Sequence, residues 1–269
     1  FAGWTFGEKF ESSFVYNSAG PGNQIYAQFF NGENGNWFGD FNPTPAFYQQ
    51  AESNRMSLNL GRSLVHLITT DVRLFPGQHK NTSGATVAND FPVVTPADPA
   101  NPPANALAWQ QGAGDSYLRS VAAVNLGSKN NGLPGDVLIG WFKVLDESFD
   151  GPDANGETYF MVMNGLTDAN GSAADCRQQI TLQWDFGGAG IDTIQELDPG
   201  TGMLEELPLT PVSGGKEQLI LTLDGGTAAL FKFNTGAPFV GVQSVPEPAA
   251  LGLLAGMLLL VIVRPRPGQ

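Results

Sequence analysis

The sequence predicts a mostly β chain of the α+β class. It reads as an antiparallel β-sandwich behind a Pro-rich linker, with a helix ahead of it and a single C-terminal transmembrane helix. Three observations predict this. Eight short runs of strand-forming residues follow one another between residues 117 and 233, separated by turn chemistry such as Asn131-Gly132, Pro199-Gly200 and Asp224-Gly225. Residues 81–112 hold Pro92, Pro96, Pro99, Pro102 and Pro103 with few large apolar residues between them. Fifteen consecutive residues from Ala249 to Val263 carry no charged or strongly polar side chain.

Composition narrows the function classes. Lys and Arg number 13 against 26 Asp and Glu, a formal net charge of −13 over 269 residues. So acidic a surface repels phosphate backbones, which argues against nucleic-acid binding. Cys176 is the only cysteine, so no intrachain disulfide can form, and a lone cysteine reads as a small buried hydrophobe. His66 and His79, the only histidines, have no His or Cys partner at zinc spacing. No nucleophile elbow, Walker or dinucleotide fingerprint is present, and no cofactor is expected.

Taken in order, residues 1–42 are rich in aromatics, Gly and Asn, with short strands expected at 13–16 and 24–30. Thr44 suits an N-cap and Pro45 the first helical position, so a helix is expected from residue 45 to about 60, interrupted by Gly61. Residues 62–68 read as a second short helical piece, and 71–75 as the way into a loop. The linker at 81–112 marks a domain boundary. Beyond it the expected strands are 117–126, 137–145, 158–164, 178–186, 191–197, 203–207, 217–223 and 228–233, with a hairpin over 191–209. Residues 237–244 link this domain, 113–236, to the tail. The chain starts at Phe1 with no basic and apolar leader ahead of the fold, so a fragment or processed chain is expected.

The tail has three parts. Val245, Pro246, Glu247 and Pro248 form an extended, exposed peptide, because proline lacks a donor and biases its predecessor away from the helix. The apolar run, with Ala249, Leu251, Leu253, Leu254, Met257, Leu258, Leu259, Leu260, Val261, Ile262 and Val263, is made mainly of good helix formers and shows no polar face. At 15 residues it is shorter than the ~20 of a full span, so a buried core helix is the other reading. Arg264 and Arg266 close it as a stop-transfer signal. Together these parts resemble the PEP-CTERM sorting signal of bacterial exported proteins. The resemblance covers residues 244–269 and implies export, membrane anchoring and then residence at the cell surface or in the matrix. It also implies two partners: the lipid bilayer and an exosortase-type processing enzyme.

The rest of the chain, up to about residue 236, resembles the C-terminal end of a β-galactosidase-like TIM-barrel glycoside hydrolase followed by its β-sandwich. Residues 24–30 and the helix opened by Asn42-Pro43-Thr44-Pro45 are similar to a last barrel strand and helix, making residues 1–80 a partial (β/α) barrel end. The hairpin at Asp198-Pro199-Gly200-Thr201-Gly202 and the strand 228–233 are similar to a capping sandwich. The resemblance implies a polysaccharide-active enzyme whose two catalytic carboxyls flank the scissile bond. Glu8 and Glu11 fall where one of them would lie, but both also read as surface glutamates; the partner acid would lie upstream, so this stretch alone is not expected to catalyse. Trp37 and Phe38 would face the catalytic end as a sugar-stacking platform, or pack under their own turn. The alternative is a non-enzymatic surface protein with a binding sandwich on the same anchor.

One further constellation stands out. Asp150, Asp153, Asn155 and Glu157 place oxygen ligands at near-alternate positions, as calcium requires, although the spacing is not that of an EF-hand and equally makes an acidic turn. Asp168, Asn170 and Asp175 form a second such group.

Overall fold

The structure, a computed structural model, describes residues 45–90, 107–147, 159–168 and 170–242. They form three layers: one helix, a seven-stranded sheet and a four-stranded sheet. The elements in chain order are α1 (Pro45–Leu64), β1 (Leu67–Phe75), β2 (Gln78–Lys80), β3 (Thr86–Ala88), β4 (Leu107–Ala108), β5 (Leu118–Asn125), β6 (Val137–Val144), β7 (Tyr159–Asn164), β8 (Gln178–Trp184), β9 (Thr193–Leu197), β10 (Leu204–Pro208), β11 (Thr210–Val212), β12 (Lys216–Leu223) and β13 (Ala228–Phe233). The large sheet runs β10-β9-β13-β7-β6-β1-β4 and the small one β11-β12-β8-β5, with β2 and β3 as a separate hairpin. Every pairing is antiparallel except β1 with β4.

Alternation along the strands builds two cores. The face between the sheets collects Ile139 and Trp141 of β6, Phe160 of β7 and Phe231 of β13. Ile180 and Trp184 of β8 and Leu219 of β12 meet them from the small sheet. The opposite face of the large sheet presents Tyr159, Met161, Leu197 and Leu230 to Met56, Leu60 and Leu64 of α1. Those helix positions are four residues apart and so share one face. Because β13 lies between both layers, all six of its residues are buried. β8 borders solvent on one side and alternates strictly. On that outer face the register sets three cross-strand rows: Gln218–Gln183–Ser120, Ile220–Thr181–Ala122 and Thr222–Gln179–Val124.

All eight strands expected after residue 113 are present to within two residues at each end. The region before them differs. Gly61 does not interrupt α1, which runs unbroken to Leu64; a Cβ at Gly61 would meet nothing within 4 Å. A single glycine costs a helix only about 1 kcal/mol, less than packing Leu60 and Leu64 supplies. Residues 67–75 are neither helical nor the start of a loop but strand β1, whose β-branched Ile68, Thr69, Thr70 and Val72 favour extended backbone. β1 is hydrogen-bonded along β6 from Leu67↔Val144 to Phe75↔Val137. Residues 67–75, grouped by the sequence with the N-terminal unit, thus lie inside the large sheet. Within 81–112, β3 and β4 take up part of the expected linker. Among the described residues no helix is long and apolar enough to cross a membrane, and the tail lies outside them.

Candidate functional site

At the end of the sandwich where β6 begins and β7 ends, four loops enclose a polar cleft of about 220 Å³. The β2–β3 hairpin brings His79, and Asn89 follows just after β3. The turn before β6 supplies Asn130, and Gly135 and Asp136 lead into that strand. Residues 165–168, after β7, close the far side with Thr167 and Asp168. Asn130, Asn131 and Gly132 all have positive φ, a left-handed run that Asn and Gly adopt most readily. This frees the Asn130 side chain to donate its Nδ2 to Gln78 O at 2.8 Å and Leu133 O at 3.0 Å, tying the turn to the hairpin.

A relay of side chains sets the chemistry of the cleft. Gly77 N–H and Asn89 Nδ2 both donate to Asp136 Oδ1, at 2.7 and 2.8 Å. With its amide nitrogen on a carboxylate, Asn89 turns its carbonyl oxygen to His79 Nδ1, 2.8 Å away. That nitrogen must then carry a proton and donate it to Asn89 Oδ1. Across the cleft Lys129 Nζ lies 3.5 Å from Asp168 Oδ1, offsetting one carboxylate. The lining offers carboxylate and amide acceptors to a small polar ligand, and no Phe, Tyr or Trp ring. It is smaller than the ~300–1,000 Å³ of pockets that enclose drug-sized ligands, so it suits a single small unit.

Behind the cleft a buried amide network joins the two sheets. Gly135 N–H donates to Gln178 Oε1 at 2.7 Å, and Gln178 Nε2 donates to Asn164 Oδ1 at 2.6 Å. Asn164 Nδ2 donates to the carbonyls of Cys176 and Leu223, both at 2.9 Å. Cys176 is buried and forms no disulfide.

A second polar feature sits at the other side of the large sheet. Glu196 of β9 pairs in register with Glu205 of β10. Burial, then the neighbouring Asp198 and Glu205 carboxylates, push the Glu196 carboxyl up to about 7. Elsewhere Asp115 is raised above the usual carboxylate range by burial, against the donors Leu118 N, Trp141 Nε1 and Tyr117 N.

Most residues singled out in the sequence lie outside the described residues: Glu8, Glu11, Trp37, Phe38, Asp150, Asp153, Asn155, Glu157 and the whole tail from Val245 to Arg266. Asp168 and Asp175 are described, and each stabilises its own loop. Asp168 Oδ1 accepts from Asn170 N at 2.8 Å, and Asp175 Oδ2 from Ser172 N and Oγ at 2.9 and 2.8 Å. Backbone and hydroxyl donors from Ser172 hold Asp175 below the usual range. Among the described residues no group of His, Cys, Asp and Glu converges to hold a metal. Sequence reasoning set His79 aside for want of a zinc partner and passed over Asn89 and Asp136. The positive-φ Asn-Asn-Gly turn was the one local signal of this corner.

No protein-family model matches the chain, and comparison with curated proteins and with solved structures yields no similar protein.

Proposed function

We propose that this chain is the exported, membrane-anchored C-terminal portion of a polysaccharide-active glycoside hydrolase, its β-sandwich serving as a stabilising or carbohydrate-binding accessory domain. The observation that carries the reading is the tail: Val245-Pro246-Glu247-Pro248, fifteen apolar residues, then Arg264 and Arg266. An extended acidic-proline peptide ahead of an apolar helix and a basic end gives a processing enzyme of the exosortase type an exposed segment to grip and the bilayer a helix to hold. The polar cleft adds support for saccharide binding, because its acceptors match the hydroxyl donors of a sugar.

Cell fractionation tests the address. The intact chain is expected in the envelope, and a chain ending at Gln243 in the soluble exported fraction; equal retention of both would end the proposal. The enzyme is tested on the complete protein with chromogenic galactosides and glucosides, where substitution of its catalytic glutamates must abolish hydrolysis.

A second reading, a non-enzymatic surface or matrix protein with a binding sandwich on the same anchor, is favoured by one feature. α1, which the barrel resemblance assigns to a last barrel helix, buries Met56, Leu60 and Leu64 against the large sheet of the sandwich itself. A barrel helix buries that stripe against barrel strands.

A further inference from the structure

The outer face of the small sheet stands apart from the rest of this acidic surface. Its three cross-strand rows contain Gln, Thr, Ser, Ala, Val and Ile, and no charged residue. Charged residues stand at its two ends: Arg119 with Asp185 at 3.5 Å and, two residues before Gln218 on the same face of β12, Lys216 at one end, and Arg177 with Asp224 at the other. Val124 and Ile220 are 55% and 50% exposed there. A flat, uncharged sheet face in contact with water favours association, which soluble proteins ordinarily block with charge.

Size and charge decide what covers it. From strand spacing and rise, three strands by three outward residues span only about 10 Å by 14 Å. That is on the order of 150–300 Å² with side chains, well under the ~800 Å² per partner of a stable protein interface. A second copy would also bring another net charge of −13 against the first. A narrow, uncharged ribbon of hydroxyl groups meets both limits. Gln179, Gln183 and Gln218 offer amide donors and acceptors across it, Thr181 and Thr222 offer hydroxyls, and Ile220 gives an apolar patch for ring C–H groups.

We infer that the outer face of β12, β8 and β5 binds an extended neutral polysaccharide along the sheet. This deepens the accessory-domain reading and can fail on its own, since loss of glycan binding leaves the tail's envelope address untouched. The test is retention of the full chain, in a polyoxyethylene detergent, on insoluble cellulose, β-1,3-glucan, xylan and mannan, with alginate as the anionic control. Retention is expected on at least one neutral glycan and not on alginate. It should fall at least tenfold in Thr181→Lys and in Gln183→Arg, whose unfolding midpoints should match the parent, and persist in Leu58→Ala on the exposed side of α1. Absence of retention on every neutral glycan overturns the inference, as does unchanged retention in both variants. A dimer in sedimentation that Thr181→Lys dissociates also overturns it, in favour of a second copy.

Discussion

Gln178 donates its Nε2 to Asn164 Oδ1 at 2.6 Å in the space between the two sheets, with both side chains fully buried. Asn164 also receives Leu166 N–H on the same oxygen at 2.9 Å and sends its amide to two carbonyls. Four polar groups from four segments therefore depend on one side chain. Asn164→Ala removes one hydrogen bond from each, at about 1–3 kcal/mol for any buried group left unsatisfied, partly relieved by relaxation. We expect a loss of roughly 3 kcal/mol in urea unfolding. A double-mutant cycle with Gln178→Ala should show strong coupling between the two; additive effects would contradict the network.

Glu196 predicts a pH dependence. Its carboxyl is raised from an ordinary 4.5 to about 7 in the fold. Below 4.5 both folded and unfolded chains hold the proton, and the fold bears no cost. As pH rises from 4.5 to 7 the unfolded chain ionises first, so stability falls across that window and levels off above it. The full shift corresponds to about 3 kcal/mol. Glu196→Gln should remove most of this slope in thermal unfolding measured between pH 4 and 8; an unchanged slope would place the origin elsewhere.

Asp115 accepts the indole Nε1–H of Trp141 at 2.8 Å on Oδ2 and two backbone N–H groups of the β5 entry on Oδ1. Asp115→Asn puts an NH₂ where an acceptor is needed and should cost about 2 kcal/mol. Gly114 beside it has φ +81 and lies against the Trp141 ring, so Gly114→Ala drives a methyl into the indole in a backbone conformation alanine avoids. Both variants should lower the unfolding midpoint and shift Trp fluorescence.

The His79 relay can be read by NMR. The Asp136–Asn89–His79 chain predicts a proton on His79 Nδ1, visible in ¹⁵N chemical shifts. Asn89→Ala removes the acceptor and should shift the population towards the Nε2–H form that free imidazole prefers. An Nε2–H tautomer in the parent would reverse the Asn89 amide and with it the acceptor character of the cleft.

Leu60 is completely buried in the α1 contact with the large sheet. Leu60→Ala should cost about 2–5 kcal/mol. Exposed Leu58, two residues back and on the opposite side of the helix, should tolerate the same change with less than about 0.5 kcal/mol.

The strands after residue 113 were legible because each has a clear local signature. β12 places Leu219, Leu221 and Leu223 at alternate positions, and β13 is nearly all apolar because both of its faces are covered. β1 was not legible: it begins two residues after a helix, and only one of its nine residues is fully buried, so neither length nor alternation announces it. β11 was hidden by Pro211, which a central strand excludes but the edge of the small sheet permits. The cleft could not be found by spacing, because its residues come from loops spread between positions 79 and 168 and meet only through sheet order.

That order leaves its mark on how the chain is completed. β13, the last strand of the fold, inserts between β9 and β7 at the middle of the large sheet. Until Phe233 has emerged, the β9–β10 hairpin has no bond to the rest of its sheet, and the edge of β7 lies open. The large sheet is thus completed only about ten residues before the Val245-Pro246-Glu247-Pro248 peptide, with Phe239 and Val240 packing on it in between. A chain ending before Ala228 lacks the strand that joins the β9–β10 hairpin to β7, and should be protease-sensitive where the complete fold is not.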